Sequence, residues 1–309
     1  MKSSPQSDAA QRVAAEVDAA HGRIRAHIIR TPLAEADGLW LKCENLQATG
    51  SFKVRGAMNK ILGLPAVTLQ KGVVAASTGN HGRAVAHALR KCGGRGTIWL
   101  PTTVAPTKVA ALREYSEVEL RFQADDSAET EAAARAAAAA EMRVFISPYN
   151  DLDVVAGQGT IALEVLEQLP SVSTIFIAVG GGGLISGIGA AIKARNPHCT
   201  VVGCWPEAST ALHSALTGIA YTERPTLSDA TAGAIEPGAI TIELAREVID
   251  EYVLVSEAAI ADAVRQAEVR YGMHIEGAAG VALAAATGSR VADGHAVVVL
   301  CGGRAGSTL

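Results

Sequence analysis

Residues 174–184 have the sequence TIFIAVGGGGL, an uncharged apolar run followed at once by four glycines and a leucine. A short, fully apolar run is typical of a buried strand in a parallel sheet. Glycine lets the backbone adopt positive φ and approach a ligand closely. Successive N–H groups in such a turn bind anions, and the N-terminus of a following helix adds its dipole. The segment therefore predicts a strand, a phosphate-binding turn and a helix, although a tight turn without a ligand is the alternative.

Short apolar strands and helical segments alternate on both sides of this stretch. Besides residues 174–179, strands are predicted at residues 39–43, 73–76, 97–100, 118–122, 143–146, 201–205 and 296–300. Helices are predicted from residue 53 to 62, from about residue 184 to 195, and over residues 159–169, where apolar side chains recur every fourth position. Such alternation indicates an α/β fold with two doubly wound, mostly parallel sheets. Ligands bind beyond the carboxyl ends of such strands, so loops 77–80, 180–183 and 301–303 predict a site in a cleft.

The composition excludes several classes of function. The chain has 309 residues, of which 49% are hydrophobic and 19% charged, so it is long enough for about two globular domains. Its formal charge of −4 gives no electrostatic footprint for nucleic acid, and no apolar run reaches the length of a membrane helix. The N-terminal residues contain no apolar leader, and the five cysteines form no C-x-x-C pair. These features predict a reduced, cytoplasmic protein with no nucleic-acid or membrane partner.

The glycine run does not match the common nucleotide-binding patterns. A dinucleotide fingerprint, G-x-G-x-x-G, would need glycine where this chain has Ile185 or Ser186. The P-loop pattern is absent from the sequence, and no acidic pair beside the run is placed to hold Mg²⁺. A small monophosphate held by backbone N–H groups is therefore favoured over ATP or NAD.

Four motifs occur in a specific order along the chain. They are residues 51–57 (SFKVRGA), 77–82 (STGNHG), 156–160 (AGQGT) and 179–184 (VGGGGL). Together they resemble the fold-type II pyridoxal-phosphate enzymes, which have the tryptophan synthase β-like fold. Within these the chain is similar to the threonine/serine dehydratase and serine racemase group. The resemblance implies a pyridoxal 5′-phosphate cofactor between a large domain (residues 1–66 and 147–309) and a small domain (residues 67–146).

The resemblance also implies roles for individual residues. Lys53 would hold the cofactor as a Schiff base and later act as the base at the substrate Cα. Phe52 would pack against the pyridine ring, Asn80 would bind the ring hydroxyl, and Cys301 would lie beside the pyridine nitrogen. The phosphate would be bound by Gly180, Gly181, Gly182, Gly183 and Leu184. The substrate carboxylate would be bound by Ser77, Thr78, Gly79, Asn80 and His81.

Several residues depart from the pattern of the group. Trp205 occupies the position where metal-activated members carry glutamate, so no metal site is predicted. Thr78 occupies the position of the racemase serine, and its hydroxyl leaves racemisation open as an alternative. Arg83 and Arg304 replace a glutamine and an asparagine, and we hypothesise that one of them binds an acidic or acyl group of the substrate. Glu276 is either a buried carboxylate near the ring or a charge at a helix N-terminus.

These observations predict a lyase that removes water from a β-hydroxy-α-amino acid such as threonine or serine, giving a 2-oxo acid and ammonia. The resemblance also implies a homodimer. Alternatives are an amino-acid racemase, or a dehydratase of a hydroxyaspartate-like or hydroxyectoine-derived substrate, as in the hydroxyectoine-utilisation dehydratases. A phosphate-ligand binding protein without catalysis is disfavoured, because simple binding needs neither Lys53 nor Asn80.

Overall fold

The computed structural model describes residues 8–289 and 295–303 as alternating helices and strands. The α-helices of the described residues are α1 (Asp8–Ile24), α2 (Lys53–Leu62), α3 (Ala66–Lys71), α4 (Asn80–Cys92), α5 (Pro106–Arg113), α6 (Ser127–Ala140), α7 (Leu152–Gln168), α8 (Gly183–Arg195), α9 (Ala211–Thr217), α10 (Ile240–Val248), α11 (Glu257–Tyr271) and α12 (Gly277–Gly288). The strands are β1 (Leu33–Ala36), β2 (Leu39–Lys42), β3 (Val73–Ala76), β4 (Gly96–Leu100), β5 (Val118–Phe122), β6 (Val144–Phe145), β7 (Thr174–Ala178), β8 (Thr200–Pro206), β9 (Glu251–Val255) and β10 (Ala296–Val299).

The larger sheet has six strands in the order β1-β2-β10-β7-β8-β9. Its pairs are parallel except for the hairpin of β1 and β2. The central strands β7 and β10 are almost entirely buried, as expected for apolar runs covered by helices on both faces. This sheet and its helices contain the largest hydrophobic core of the described residues.

The smaller sheet has four parallel strands in the order β5-β4-β3-β6. All of its strands lie between residues 73 and 145, and β3 is buried along its whole length. The segregation of strands into two sheets is consistent with the predicted small domain at residues 67–146. The domain bounds themselves stay a prediction.

Helix α7 begins seven residues earlier than the sequence predicts, because two of its glycines allow close packing. The Asp151 carboxylate caps the helix by accepting hydrogen bonds from the N–H groups of residues 153 and 154. A Cβ on Gly157 would lie 2.7 Å from the carbonyl oxygen of Arg55, and one on Gly159 would lie 2.8 Å from that of Gly187. These glycines therefore do not break the helix; they let α7 approach α2 and α8.

A buried cluster of charges fixes α2 against the large sheet. The Arg55 guanidinium donates to Glu44 and to Glu164 at 2.7 Å each, and the Lys42 amine donates to Glu164 at 2.6 Å. All four side chains are essentially inaccessible to water. Two cations and two carboxylates balance in charge, and the cluster holds the helix whose first residue is Lys53.

Strand β9 was not predicted, although its residues 252–255 (YVLV) form an apolar run. Among the described strands it pairs with β8, at the edge of the large sheet, and most of its side chains are exposed or half-exposed. Its exposure, and not a lack of apolar residues, distinguishes β9 from the buried parallel strands.

Candidate active site

Backbone hydrogen bonds hold the turn before α2 against the loop after β10. The N–H of Phe52 donates to the carbonyl of Cys301 at 3.0 Å, and the N–H of Gly303 donates to the carbonyl of Gly50 at 2.9 Å. Between them, Ser51 and Gly302 form an antiparallel bridge. The fold thus brings together two segments about 250 residues apart in the sequence, which the motifs had predicted to share one site.

The Lys53 amine lies in the interior, although the residue as a whole keeps some exposure. Its Nζ donates to the carbonyl oxygen of Pro148 at 3.0 Å and lies 5.1 Å from the centroid of the Phe52 ring. Burial lowers the pKa of the lysine to about 8, and the nearby Cys301 and Glu276 oppose that effect. The neutral amine is therefore accessible near neutral pH, as a lysine nucleophile or base requires.

The glycine turn packs on the same segment that receives the lysine hydrogen bond. A Cβ on Gly181 would lie 2.4 Å from the ring of Tyr149, and one on Gly183 would lie 3.0 Å from the Cα of Tyr149. Gly182 adopts φ of +85°, which favours glycine. Lys53 and the N-terminus of α8 therefore lie next to one another across residues 148–149.

The loop after β3 leads into a buried, neutral histidine, His81, which is the second residue of α4. The Nε2 of His81 donates to the carbonyl oxygen of Ile146 at 2.9 Å, which fixes the tautomer because a carbonyl only accepts. Burial lowers the pKa of His81 to about 3, with a smaller contribution from the Lys53 charge. Its Nδ1 has no hydrogen-bond partner among the described residues. Earlier in the loop, Ser77 Oγ accepts from the N–H of Gly79 at 3.2 Å, and Thr78 is half-buried.

Asn80, the first residue of α4, forms hydrogen bonds through both the nitrogen and the oxygen of its side-chain amide. Its Nδ2 donates to the two carboxylate oxygens of Glu276 at 2.8 and 3.1 Å, and its Oδ1 accepts from Arg83 at 3.0 Å. Glu276 directly precedes α12 and its carboxylate faces the interior, so it is a charge at a helix N-terminus, while its place near the ring stays a prediction. Arg304, the other arginine of interest, lies outside the described residues.

Cys301 is a neutral thiol in this site. The residue is only 3% exposed, and burial together with the Glu276 charge raises the pKa of the thiol well above its usual value. The Sγ atom lies 4.0 Å from Oε1 of Glu276. A protonated thiol can share a hydrogen bond with a ring nitrogen without transferring a full proton to it.

Sequence reasoning missed two residues that shape the glycine turn. Tyr149 packs on it, and the phenol oxygen accepts from the N–H of Glu236 at 3.0 Å. Thr241 Oγ1 donates to the carbonyl oxygen of Gly181 at 2.7 Å. The only signal for Tyr149 was its place just after β6, at the carboxyl end of a strand.

Trp205 is buried in an aromatic cluster. Its ring centroid lies 5.5 Å from that of His213 and 5.7 Å from that of Tyr252. Within residues 8–289 and 295–303, no three side chains of His, Cys, Asp or Glu are grouped to hold a metal ion. The absence of a metal site stays a prediction.

Comparison with known proteins identifies the family. A sequence model described as "Pyridoxal-phosphate dependent enzyme" matches residues 24–302. The chain belongs to this family. The predicted α/β fold of the fold-type II pyridoxal-phosphate enzymes is confirmed, and pyridoxal phosphate is the cofactor.

Relatives within the pyridoxal-phosphate family include dehydratases and racemases. The L-threonine ammonia-lyase of Geobacter sulfurreducens is 40% identical over 303 residues, which cover 93% of this chain and 74% of the relative. A threonine deaminase from Solanum lycopersicum superposes with a TM-score of 0.89 at 27% identity, covering 98% of this chain and 92% of the other. Maize serine racemase superposes with a TM-score of 0.87 at 29% identity, covering 94% and 93%.

The residues present fit pyridoxal phosphate. The buried Lys53 amine suits the aldehyde carbon of the cofactor, and the protonated Cys301 thiol suits its ring nitrogen. The glycine turn at the start of α8 suits its phosphate, because side chains in place of these glycines would crowd the turn.

Replacing Gly182 with alanine is expected to weaken pyridoxal-phosphate binding at least about tenfold, because the added Cβ is strained at positive φ. It would also lie 2.8 Å from Leu212. Gly218→Ala is the matched control, since Gly218 has φ of +76° but open space around it. Spectroscopic titration of the apoprotein should show weakened binding in the first variant alone. Equal affinity in both variants would contradict the role of the turn.

Proposed function

We propose that this protein is a pyridoxal-phosphate-dependent ammonia-lyase that dehydrates a β-hydroxy-α-amino acid such as L-threonine or L-serine. The observation that carries the proposal is the 40% identity to an L-threonine ammonia-lyase over 93% of the chain. For L-threonine the net reaction converts the amino acid into 2-oxobutanoate and ammonium. The Cα–H and Cβ–O bonds break and the β-hydroxyl group leaves as water. Cβ then gains a proton, the Cα–N bond breaks as water supplies the new carbonyl oxygen, and the nitrogen leaves as ammonium.

The chain supplies a base, an anion site and a neutral thiol. Bound pyridoxal phosphate draws electrons away from Cα and so makes its proton acidic. Lys53 Nζ, with its pKa lowered to about 8, takes that proton. The N-terminus of α4, where residues 77–81 offer backbone N–H groups, binds and orients the carboxylate of the substrate. Cys301 keeps its proton and leaves the ring nitrogen uncharged, which suits an elimination in which negative charge on carbon is brief.

A substrate panel tests the proposal. The holoenzyme is incubated with L-threonine, L-serine and threo-β-hydroxyaspartate while 2-oxo acid and ammonium are measured. The proposal expects the two products in equal amounts from at least one substrate. A preference for hydroxyaspartate would favour the hypothesis that an arginine binds an acidic side chain, although Arg83 donates to Asn80 here. No 2-oxo acid from any of them would contradict the dehydratase proposal.

Racemisation is the second candidate function, favoured by the structural similarity to maize serine racemase. It needs an acid on the face of the substrate opposite Lys53, and Thr78 is the candidate. Chiral chromatography of the L-serine reaction distinguishes the two functions. D-serine formed faster than pyruvate, and lost in Thr78→Ala, would support the racemase.

We also propose that the protein is a cytoplasmic homodimer, on the strength of the family resemblance. All five cysteines are free thiols, consistent with a reducing compartment. None of the described helices is long and apolar enough to cross a membrane. Light scattering during size-exclusion chromatography measures the oligomeric state.

A further inference from the structure

Glu276 keeps some exposure as a residue, but its carboxylate faces the interior, and the proposed reaction gives it no role. Its backbone N–H donates to the carbonyl of Gly302 at 3.0 Å, and its side chain turns back against the same loop. A Cβ on Gly302 would lie 2.4 Å from Oε1 of Glu276. The carboxylate is thus wedged between the loop after β10 and the first turn of α4, where Asn80 contacts it.

Two influences favour the protonated form of Glu276. Burial is the larger, and the Asp229 carboxylate, in the irregular segment between α9 and α10, adds repulsion. The Cys301 thiol faces Glu276 from the end of β10 but keeps its own proton. Together these raise the pKa of Glu276 to about 7.

Three groups favour the charged form, and they face Glu276 from α2 and α4. Asn80 donates a hydrogen bond to the carboxylate, while Arg83 and Lys53 contribute positive charge. Their effect does not outweigh burial, so both forms of Glu276 are populated near neutral pH.

The proposed site for the substrate carboxylate adjoins this group. Asn80 is one of the polar residues of the segment 77–81 and also the hydrogen-bond donor to Glu276. A second carboxylate bound at that loop would therefore lie one side chain away from the first. Like charges at such a distance, away from water, disfavour double ionisation.

We propose that Glu276 takes up part of a proton when the substrate carboxylate binds at residues 77–81, so that the site holds both carboxylates charged less often than it otherwise would. The inference rests on the proposed function, because it needs an amino-acid substrate at that loop. The proton comes from water and binds a carboxyl oxygen of Glu276, and no other bond changes. Glu276 is a positioning residue. Its proton offsets part of the negative charge that the substrate carboxylate brings to the site, and Asn80 lies between the two carboxylates.

The number of protons taken up on binding, and its effect on affinity, have a definite sign and size. If the bound carboxylate raises the pKa of Glu276 by about one unit, binding at pH 7.5 takes up about 0.5 proton. The protonated form binds the substrate more tightly, so affinity is highest at low pH. As pH rises through the pKa of the complex, the dissociation constant should increase by up to about tenfold.

Isothermal titration calorimetry of the holoenzyme tests this without turnover. The ligand is L-2-aminobutyrate, which lacks the β-hydroxyl group and cannot lose water. Binding heats at pH 7.5 in HEPES and in Tris give the number of protons taken up, because the two buffers differ in ionisation enthalpy. Wild type should take up about 0.5 proton more than Glu276→Gln, which keeps the size but does not titrate. Equal uptake by the two proteins would overturn the inference.

A second variant decides the matter if Glu276→Gln does not fold or bind cofactor. Asp229 is 69% exposed and its charge raises the pKa of Glu276. Asp229→Asn should therefore shift the pH profile of proton uptake downwards by a few tenths of a unit. An upward shift or an unchanged profile would overturn the inference. Turnover of threonine is measured separately. If the enzyme turns over but wild type and Glu276→Gln take up the same number of protons, only the inference is refuted. If wild type takes up the extra proton but turns over no substrate, only the proposed reaction is refuted.

Discussion

Lys53→Ala is expected to lower kcat/KM for 2-oxo acid formation by at least about 10³-fold and to abolish covalent attachment of the cofactor. The variant removes both the amine that bonds to the cofactor and the base at Cα. The amine lies inside the protein beside Phe52 and the carbonyl of Pro148, where the shorter alanine side chain leaves no group that could bond to the cofactor. Borohydride reduction followed by peptide mass spectrometry should locate the cofactor on Lys53 in the wild type.

Lys71→Ala is the control for this experiment. Lys71 is an exposed lysine at the end of α3, outside the site. Its variant should keep the activity and the cofactor adduct of the wild type. If Lys53→Ala retained activity within about tenfold of the wild type, the assignment of the base would be wrong.

Glu164→Ala is expected to destabilise the protein by about 3–5 kcal/mol, the usual cost of removing one partner from a buried ion pair. Glu164 is the shared acceptor of Lys42 and Arg55, both fully buried. Without it, two buried cations would face only Glu44. Desolvation lowers the pKa of Lys42, and Glu164 is the main group that opposes this effect, so the variant removes the chief stabilisation of the lysine charge.

Glu167→Ala on the same helix provides the comparison. Glu167 pairs with Arg30, but the two side chains are 61% and 58% exposed. Its removal should cost less than about 1 kcal/mol. Urea unfolding of the two variants measures the difference, and similar losses in both would show that burial of the cluster contributes nothing.

The local parts of the site could be predicted from sequence because short motifs encode them. Helix α2, beginning at Lys53 and ending at Leu62, is confirmed at both ends. The glycine run after β7 predicted the turn and the start of α8 within one residue. Both depend on neighbours along the chain, since φ preference and helix capping are local properties.

Contacts between distant segments could not be predicted in the same way. Asn80 and Glu276 are 196 residues apart, and no pattern in the sequence indicates that one donates to the other. Tyr149 follows the predicted strand at residues 143–146, but its packing on the glycine turn joins segments about 30 residues apart in the sequence, which no local pattern indicates. The early start of α7 was missed because Gly157 lowers helix propensity, while its close approach to α2 is a tertiary effect.

The visible absorption spectrum of the purified protein, recorded before and during addition of L-threonine, tests the central claim most directly. The account predicts an absorbance band of bound pyridoxal phosphate that changes on addition of the amino acid while 2-oxobutanoate accumulates. A colourless protein that gains no such band when pyridoxal phosphate is added, and forms no 2-oxo acid, would contradict it.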